Sequence, residues 1–494
     1  MSRLIVVSNR VAVPQAGRAK AAGGLAVAIN SALRERGGVW FGWSGHVSET
    51  PSLTPEVTTS NNIDYCVTDL SPDDLQEYYH GFANRVLWPL MHYRVDLAEF
   101  SRADLSGYMR VNEEFAEHVS RFLKPDDVVW IHDYHLMPLA KFLRERGHRN
   151  KIGFFLHIPF PSLEIIQALP HHLEVSAALT QYDLVGVQTE NDRENLARYF
   201  ALLGGREIDG DHLFEFPDRQ VRIGAFPVGI ETEVFARCAR RISRSSFVKE
   251  VRESMSGRSL VIGVDRLDYS KGIPERMDAF ERFLAANEDW HNRVTYLQIT
   301  PKSRSEVQEY ADMEHQINAK TGQVNGDYGE AIWTPIRYIN RSYSRTALAG
   351  LYRMADVGLV TPLRDGMNLV AKEYVAAQDP ADPGVLILSQ FAGAAFELGD
   401  GALLVNPHEA EAVAAALKRA LEMPLDERRR RHAGMMKIVE ENDIHRWAAR
   451  FLSALSAGDA SRQPASLAKK AGSRGGSDAS SGGGVSRHIS FPAA

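Results

Sequence analysis

The sequence predicts an α/β protein built from two doubly wound domains that face each other across a cleft. Three observations carry this. Short apolar runs alternate with helical patterns almost from end to end, as strands and helices taken in turn would. The runs are nearly continuous in apolar residues, which suits parallel strands covered on both faces. The third is length: 494 residues exceed one ordinary core, and the series pauses near "PVGIETEVF" (227–235) before restarting at "LVIGV" (260–264).

In order, the strand candidates are "LIVVS" (4–8), "DVVWIH" (127–132), "IGFFLH" (152–157), "LVGVQ" (184–188) and "VRIGAFPV" (221–228). After the pause come "LVIGV", "VTYLQI" (294–299), "VGLVT" (357–361) and "GVLILS" (384–389). Helical patterns lie between them. In "EAEAVAAALKRAL", Val413, Ala416, Leu417, Ala420 and Leu421 recur at helical spacing. The pause puts a boundary near residue 230, giving domains over 1–230 and 231–440. From about Ala457 the chain turns to Ser, Gly and Ala, and 457–494 is expected to be a disordered tail. Its five Lys/Arg and two Asp leave a charge of +3, too weak to imply a partner.

A net charge of −6 gives no reason to expect nucleic-acid binding. The two cysteines, Cys66 and Cys238, are far apart and in no paired motif, which fits a reducing cytoplasm and argues against a disulfide framework or a zinc site. The apolar run in "MSRLIVVSNR" is too short for a secretory signal, and no stretch is long enough to span a membrane.

Open parallel sheets bind ligands beyond the carboxyl ends of their strands, so the loops there are where chemistry belongs. "LVIGVDRLDYSKG" (260–272) places Arg266 and Lys271 in such a loop. Two cations there could neutralise a diphosphate, and the alternative is ion pairing with Asp265 and Asp268. "ITPKSRSE" (299–306) repeats the pattern with Lys302 and Arg304, and two basic loops in one domain suggest an anionic ligand. In "AAGGLAVAINSAL" (21–33) paired glycines open a helix, as a phosphate contact or a tight loop would require. "WIHDYHLMPLAKFL" (130–143) puts His132, Asp133 and His135 at a strand end. A polar substrate contact suits them better than a metal, and Asp133 could be only a helix cap. "LHIPFPSLEI" (156–165) sets His157 before two prolines.

"VWFGWSG" (39–45) and "EYYHGFANRVLWPLMHY" (77–93) are rich in Trp and Tyr, which serve either a core or a sugar face. Asp209 and Asp211 in "IDGDH" read as a surface turn, and "RRRR" (428–431) as a solvated helix face. "PLRDGMNLVAKEY" (362–374) carries more polar groups than a turn needs. There is no G-x-G-x-x-G after a strand and no G-x-x-x-x-G-K-[ST], so neither a dinucleotide fingerprint nor a P-loop is present.

The stretches "VVSNRV", "AAGGLA", "WFGWSG", "VLWPLMHY", "IHDYHL", "FFLHIPFP", "QTENDR", "RLDYSKG", "TPLRDGMNLVAKEYVAAQ" and "LSQFAGAA" stand in an order that closely resembles the α,α-trehalose-phosphate synthases (UDP-forming), from about Ser2 to Leu455. The resemblance implies a retaining transferase of the GT-B type, with an N-terminal acceptor domain and a C-terminal nucleotide-sugar domain. A helix over 441–456 would return to the first. Glucose would move from UDP-glucose to glucose 6-phosphate without metal or cofactor, giving α,α-trehalose 6-phosphate and UDP.

By the same resemblance, Arg266 and Lys271 would bind the diphosphate, with Gly23 and Gly24 closing over it. Asp365 would accept from donor-glucose hydroxyls, with Gly366 letting the backbone come close. Amides around Met367, Asn368, Leu369 and Val370 would meet sugar and phosphate, Glu373 the ribose, Tyr343 the uracil through its backbone. His157 would lie beside the donor glucose. Arg10, Tyr79, Trp88, Asp133 and Arg304 would form the glucose 6-phosphate site. No carboxylate nucleophile is implied, and the reaction would run on one face of the sugar. A homo-oligomer, dimer or tetramer, is compatible.

The rival readings are a relative using ADP- or GDP-glucose, a catalytically silent sugar-phosphate-binding regulator, and an NAD-dependent oxidoreductase, which lacks its glycine fingerprint. Two departures from the family pattern are the Ser/Gly tail and the loose polar stretch 204–220.

Overall fold

The computed structural model describes residues 2–14, 24–208, 210, 212–301 and 308–457. The first half builds one sheet from β1 (Leu4–Arg10), β2 (Gly38–Val47), β3 (Glu56–Ser60), β4 (Ile63–Leu70), β5 (Val128–His132), β6 (Lys151–Phe155), β7 (Leu184–Val187), β8 (Arg206–Ile208), β9 (Leu213–Phe216) and β10 (Arg219–Ala225). Their order is β3-β4-β2-β1-β5-β6-β7-β10-β9-β8. The interior pairs are parallel, and β3 at one edge and β9-β8 at the other are antiparallel. A second, all-parallel sheet follows in the order β13-β12-β11-β14-β15-β16. It comprises β11 (Ser259–Val264), β12 (Val294–Ile299), β13 (Ile336–Ile339), β14 (Val357–Val360), β15 (Val385–Ser389) and β16 (Leu403–Val405). These are two Rossmann-like lobes, as the GT-B resemblance implied.

Among the parallel strands of each sheet the order reverses once, between β1 and β5 in the first and between β11 and β14 in the second. Such reversals leave a crevice beyond the carboxyl ends of the two strands, because their crossover helices depart to opposite faces. Arg10 and His132 end β1 and β5, and the loops bearing Arg266 and Asp365 follow β11 and β14. The topology therefore brings forward the loops that the sequence marked.

One open alternative is resolved, in favour of the core, and two sequence expectations are corrected. The aromatic stretch 39–45 is strand β2, with Val39, Trp40 and Phe41 buried in the sheet's two covers. The loose stretch 204–220 forms the β8-β9-β10 meander, whose outermost strand β8 is exposed at the sheet edge; Asp209 and Asp211 lie outside the described residues. The arginines at 428–431 do more than meet solvent. Arg428 donates to Asp382 (2.8 Å) and the Pro383 carbonyl (2.6 Å), Arg429 to the Ala381 carbonyl (2.9 Å), and Arg431 to Glu427 (2.9 Å).

The chain leaves the first lobe along 226–231 and comes back along 442–444. The Ile444 N–H donates to the Ile230 carbonyl at 3.1 Å. A Cβ on Gly229 would stand 2.0 Å from the Asn442 carbonyl oxygen, so a glycine lets the two segments lie together. The helix Ile444–Ala457 then covers the first sheet, beside the helix Gly24–Arg36. Its Phe451 stacks on Trp130 at 4.9 Å and enters a notch left by Gly153 and Gly186, whose Cβ atoms would come within 2.9 and 2.7 Å of the ring. One apolar cluster runs from Leu4 and Trp130 through Ile230, Trp447 and Phe451 to Val264 and Tyr374. Both lobes thus share core through the last helix. Residues 458–494, where the tail is expected, are not among those described.

Phe451→Ala should cost about 3–5 kcal/mol, because the glycine notch cannot collapse onto an alanine. Urea unfolding measures this, and a loss under about 1 kcal/mol would show that the helix is peripheral.

Candidate active site

A cavity of about 450 Å³ opens between the carboxyl edges of the two sheets. From the first lobe it is lined by Trp88, Asp133 and His157, and from the second by Arg266, Lys271, Asp365, Met367, Asn368, Leu369, Val370 and Glu373. Most of the residues marked in the sequence converge there. Arg10, Tyr79 and Tyr343 are not among its lining residues. Gly24 opens the helix Gly24–Arg36; Gly23 and Arg304 lie outside the described residues.

The two alternatives for the loop after β11 resolve unevenly. Asp265 pairs with neither cation, because the buried Arg276 takes it at 2.7 Å. Arg266 stands 3.3 Å from Asp268 and lies over the Trp88 ring at 4.6 Å, reaching from one lobe to the other. Lys271 pairs with Asp365 at 2.5 Å, linking the loops after β11 and β14. Burial alone would raise the Asp365 carboxyl, but the Lys271 ammonium overrides it and holds the group below its usual value.

The loop after β14 is laced to its neighbour. The Asp365 N–H donates to the Phe391 carbonyl (3.2 Å), and the Gly393 N–H donates back to the Asp365 carbonyl (3.1 Å). Asn368, at φ +69°, caps the helix Leu369–Ala377: its side chain accepts from the Ala371 N–H (3.3 Å) and donates to Asp365 (3.1 Å). Leu369 and Val370, the first residues of that helix, line the cavity, so unpaired first-turn N–H groups and the positive end of the helix dipole are directed there. Glu373, one turn on, lies 3.5 Å from Arg345, which also holds Glu231 at 2.9 Å. Burial raises its carboxyl, and Arg345 opposes that.

Two residues that the sequence left without a role complete this side. Lys372 is buried and donates to the Val228 carbonyl (2.8 Å) and to Glu397 (2.5 Å). Glu397 in turn accepts from Asn442 at 2.9 Å. Lys372 thus ties the cavity helix to both crossing segments, and only its place beside Glu373 hinted at it. His92, four residues after Trp88, donates from Nδ1 to the Trp88 carbonyl at 2.7 Å. Burial pushes it down to about 4 although Asp268 pulls it up, so a neutral ring stands near the charged cluster.

On the first lobe Asp133 adopts φ +77°, ψ 164°, a strained conformation for a residue with a side chain. It is not a helix cap: its carboxylate accepts from the His157 N–H at 3.2 Å, while its own N–H donates to the Phe155 carbonyl at 2.8 Å. Tyr79 belongs to a π-helical segment, Leu75–Leu87, and stacks on His135 at 5.9 Å and beside Trp43 at 5.6 Å. Arg10 lies over Trp43 at 5.6 Å. Arg10 and Tyr79 therefore share one aromatic stack at the carboxyl end of β1. Tyr343 follows β13 and packs on Phe247 at 6.1 Å. Among the described residues, no group of three or more His, Cys, Asp or Glu is arranged to hold a metal ion, and no helix is long and apolar enough to cross a membrane.

Because the folded Asp365 carboxyl is depressed, the pair's stabilisation is full above the unfolded carboxylate value of about 4 and is lost as pH falls through the lower folded value. Lys271→Met should cost about 3 kcal/mol near neutrality by leaving a mostly buried carboxylate alone. The gap to the wild type should narrow below about pH 4. Urea unfolding at neutral and acid pH checks both, and a gap independent of pH would contradict an electrostatic role.

The model of glycosyltransferase family 20 matches residues 2–457. The trehalose-6-phosphate synthase of Sinorhizobium fredii (strain NBRC 101917 / NGR234) is 55% identical over 460 residues, covering 92% of this chain and 99% of that protein. Among solved structures, the α,α-trehalose-phosphate synthase (UDP-forming) of Burkholderia xenovorans in complex with glucose-6-phosphate superposes with a TM-score of 0.86 at 45% identity, over 92% of this chain and 100% of that one. An E. coli structure bound with UDP-2-fluoro glucose gives 0.87 at 47%, over 92% and 99%. With the family's whole pattern spread over both lobes and their shared last helix, the chain belongs to glycosyltransferase family 20.

Proposed function

We propose that the protein is a retaining glucosyltransferase that moves glucose from UDP-glucose to glucose 6-phosphate, giving α,α-trehalose 6-phosphate and UDP in trehalose biosynthesis. The observation that carries this reading is one cavity in which Arg266, Lys271 and a helix N-terminus on the second lobe face Asp133, His157 and Trp88 on the first. A diphosphate suits the former set and a sugar the latter.

On this reading Arg266 and Lys271 hold the diphosphate, and the amides at Met367, Asn368, Leu369 and Val370 add donors at the helix start. Glu373 takes the ribose hydroxyls and the backbone at Tyr343 the uracil. Donor binding exchanges partners: Lys271 turns from Asp365 to the leaving phosphate, and Asp365 accepts from glucose hydroxyls. His157 stands beside that glucose. Arg10 takes the acceptor phosphate, while Tyr79, Trp88 and Asp133 orient the acceptor ring. The acceptor hydroxyl attacks on the face the phosphate leaves, and the leaving phosphate takes its proton. The protein contributes position and fixed charge, worth most in a site that excludes water. The reading includes a cytoplasmic location, in keeping with the unpaired cysteines Cys66 and Cys238, and a homo-oligomer, dimer or tetramer.

Incubation with glucose 6-phosphate and UDP-, ADP- or GDP-glucose in turn tests this. The expected result is α,α-trehalose 6-phosphate with UDP as the favoured leaving nucleotide, at a rate untouched by excess chelator. No disaccharide from any donor would overturn the function. Loss of turnover to chelator, restored by a divalent ion, would overturn the metal-independent route.

A further inference from the structure

Two imidazoles stand together at the first-lobe wall of the cavity. His132 ends β5 and is 1% exposed, while His157 follows β6 and lines the cavity. His132 Nδ1 and His157 Nε2 are 3.1 Å apart, a hydrogen-bond distance. Trp130 packs against His132 at 4.5 Å, Phe155 against His157 at 4.7 Å, and Trp447 from the last helix reaches both, at 6.4 and 6.0 Å. Burial holds both rings well below their ordinary value, His157 down to about 3, so each carries a single proton near neutrality.

The contact between two neutral rings needs one proton, and either ring could supply it. The far side of His132 decides. Its Nε2 is buried and has no hydrogen-bond partner among the described residues. Were the His132 proton there, a buried N–H would be left without an acceptor, which folded proteins rarely tolerate; an unmatched lone pair costs less. The His132 proton therefore belongs on Nδ1, where His157 Nε2 accepts it. His157 must then carry its own proton on the other ring nitrogen.

We propose that His132 is a positioning residue for glucosyl transfer: its Nδ1–H donates to His157 Nε2 and so presents His157 Nδ1 to the cavity as an N–H donor for an oxygen of the donor sugar. The placing of the sugar rests on the function proposed above; the proton arrangement does not. With the opposite tautomer His157 would offer the sugar a lone pair, and a hydroxyl there would have to donate.

Long-range nitrogen–proton correlation spectra of ligand-free protein labelled at histidine read the tautomer directly, with His157 assigned by its loss in His157→Gln. The expected spectrum has His157 protonated at Nδ1 and bare at Nε2. His132→Phe fills the space without a donor. It should move the His157 Nε2 resonance, because that nitrogen loses the proton it accepts, and lower transfer kcat/KM roughly tenfold, the scale of one hydrogen bond. His132→Asn keeps an N–H near the position of Nδ1 and should retain the tautomer and most of the turnover. A role in packing alone would lower the melting temperature of both variants and leave the His157 spectrum unchanged. A wild-type His157 protonated at Nε2, or a His132→Phe protein with unaltered spectrum and turnover, would overturn the proposal. Because the spectrum needs no substrate, failure of the donor assignment is distinguishable: it would appear as absent transfer in the wild type with the tautomer as expected.

Discussion

The two lobes meet where a side chain is missing. A Cβ on Gly366 would stand 2.2 Å from the carbonyl oxygen of His157, and a Cβ on Gly393 would stand 1.9 Å from the carbonyl oxygen of Gly366. Neither contact is possible for any residue but glycine without moving backbone. The loop after β14 is therefore clamped between its neighbour in the second lobe and the His157 turn of the first. That approach sets the distance between Asp365 and Asp133, between Lys271 and Trp88, and so the shape of the cavity itself. The resemblance explained Gly366 by closeness to a ligand; the structure adds closeness to the opposite lobe.

Around this contact the charges lining the cleft are paired locally. Among the described lining residues each cation has a local partner: Lys271 has Asp365, and Arg266 has Asp268 and the face of Trp88. The nearby rings His92 and His157 are held neutral by burial. On the proposed function, an incoming diphosphate would replace one set of charge contacts with another. Lys372 works at the back of the same helix, where it joins the cavity wall to the segments on which the lobes cross.

The lobes were legible because buried parallel strands are written as apolar runs, and nine such runs were found. What was missed was polar or mixed by position. β8 is an exposed edge strand, β9 beside it is broken by Glu215, and the short β3 is antiparallel at the other edge, so none shows an apolar run; β4, β13 and β16 were missed as well. β2 was visible as an aromatic stretch, but nothing local says whether Trp40 meets a core or a sugar. For the site, residues in loops after strands were readable, since topology sends those loops to the cleft. His92 and Lys372 were not: Lys372 acts through Val228 and Glu397, distant in sequence, and His92 is set by its burial; His132 was marked, but as a substrate contact and not as the partner of His157. Asp133 was read as a substrate contact or a cap; what excludes the cap is that its carboxylate accepts from the His157 N–H, a partner the sequence does not signal.

The account turns on the lobes being registered by the Gly366 contact, and Gly366→Ala tests that most directly. UDP affinity, measured by calorimetry, should stay within about threefold of the wild type, because Arg266, Lys271 and Glu373 all lie in one lobe. Transfer to glucose 6-phosphate should fall roughly 100-fold, the cost of misplacing reactants by about an ångström. Wild-type transfer in Gly366→Ala, or a loss of UDP affinity as large as the loss of transfer, would contradict the account.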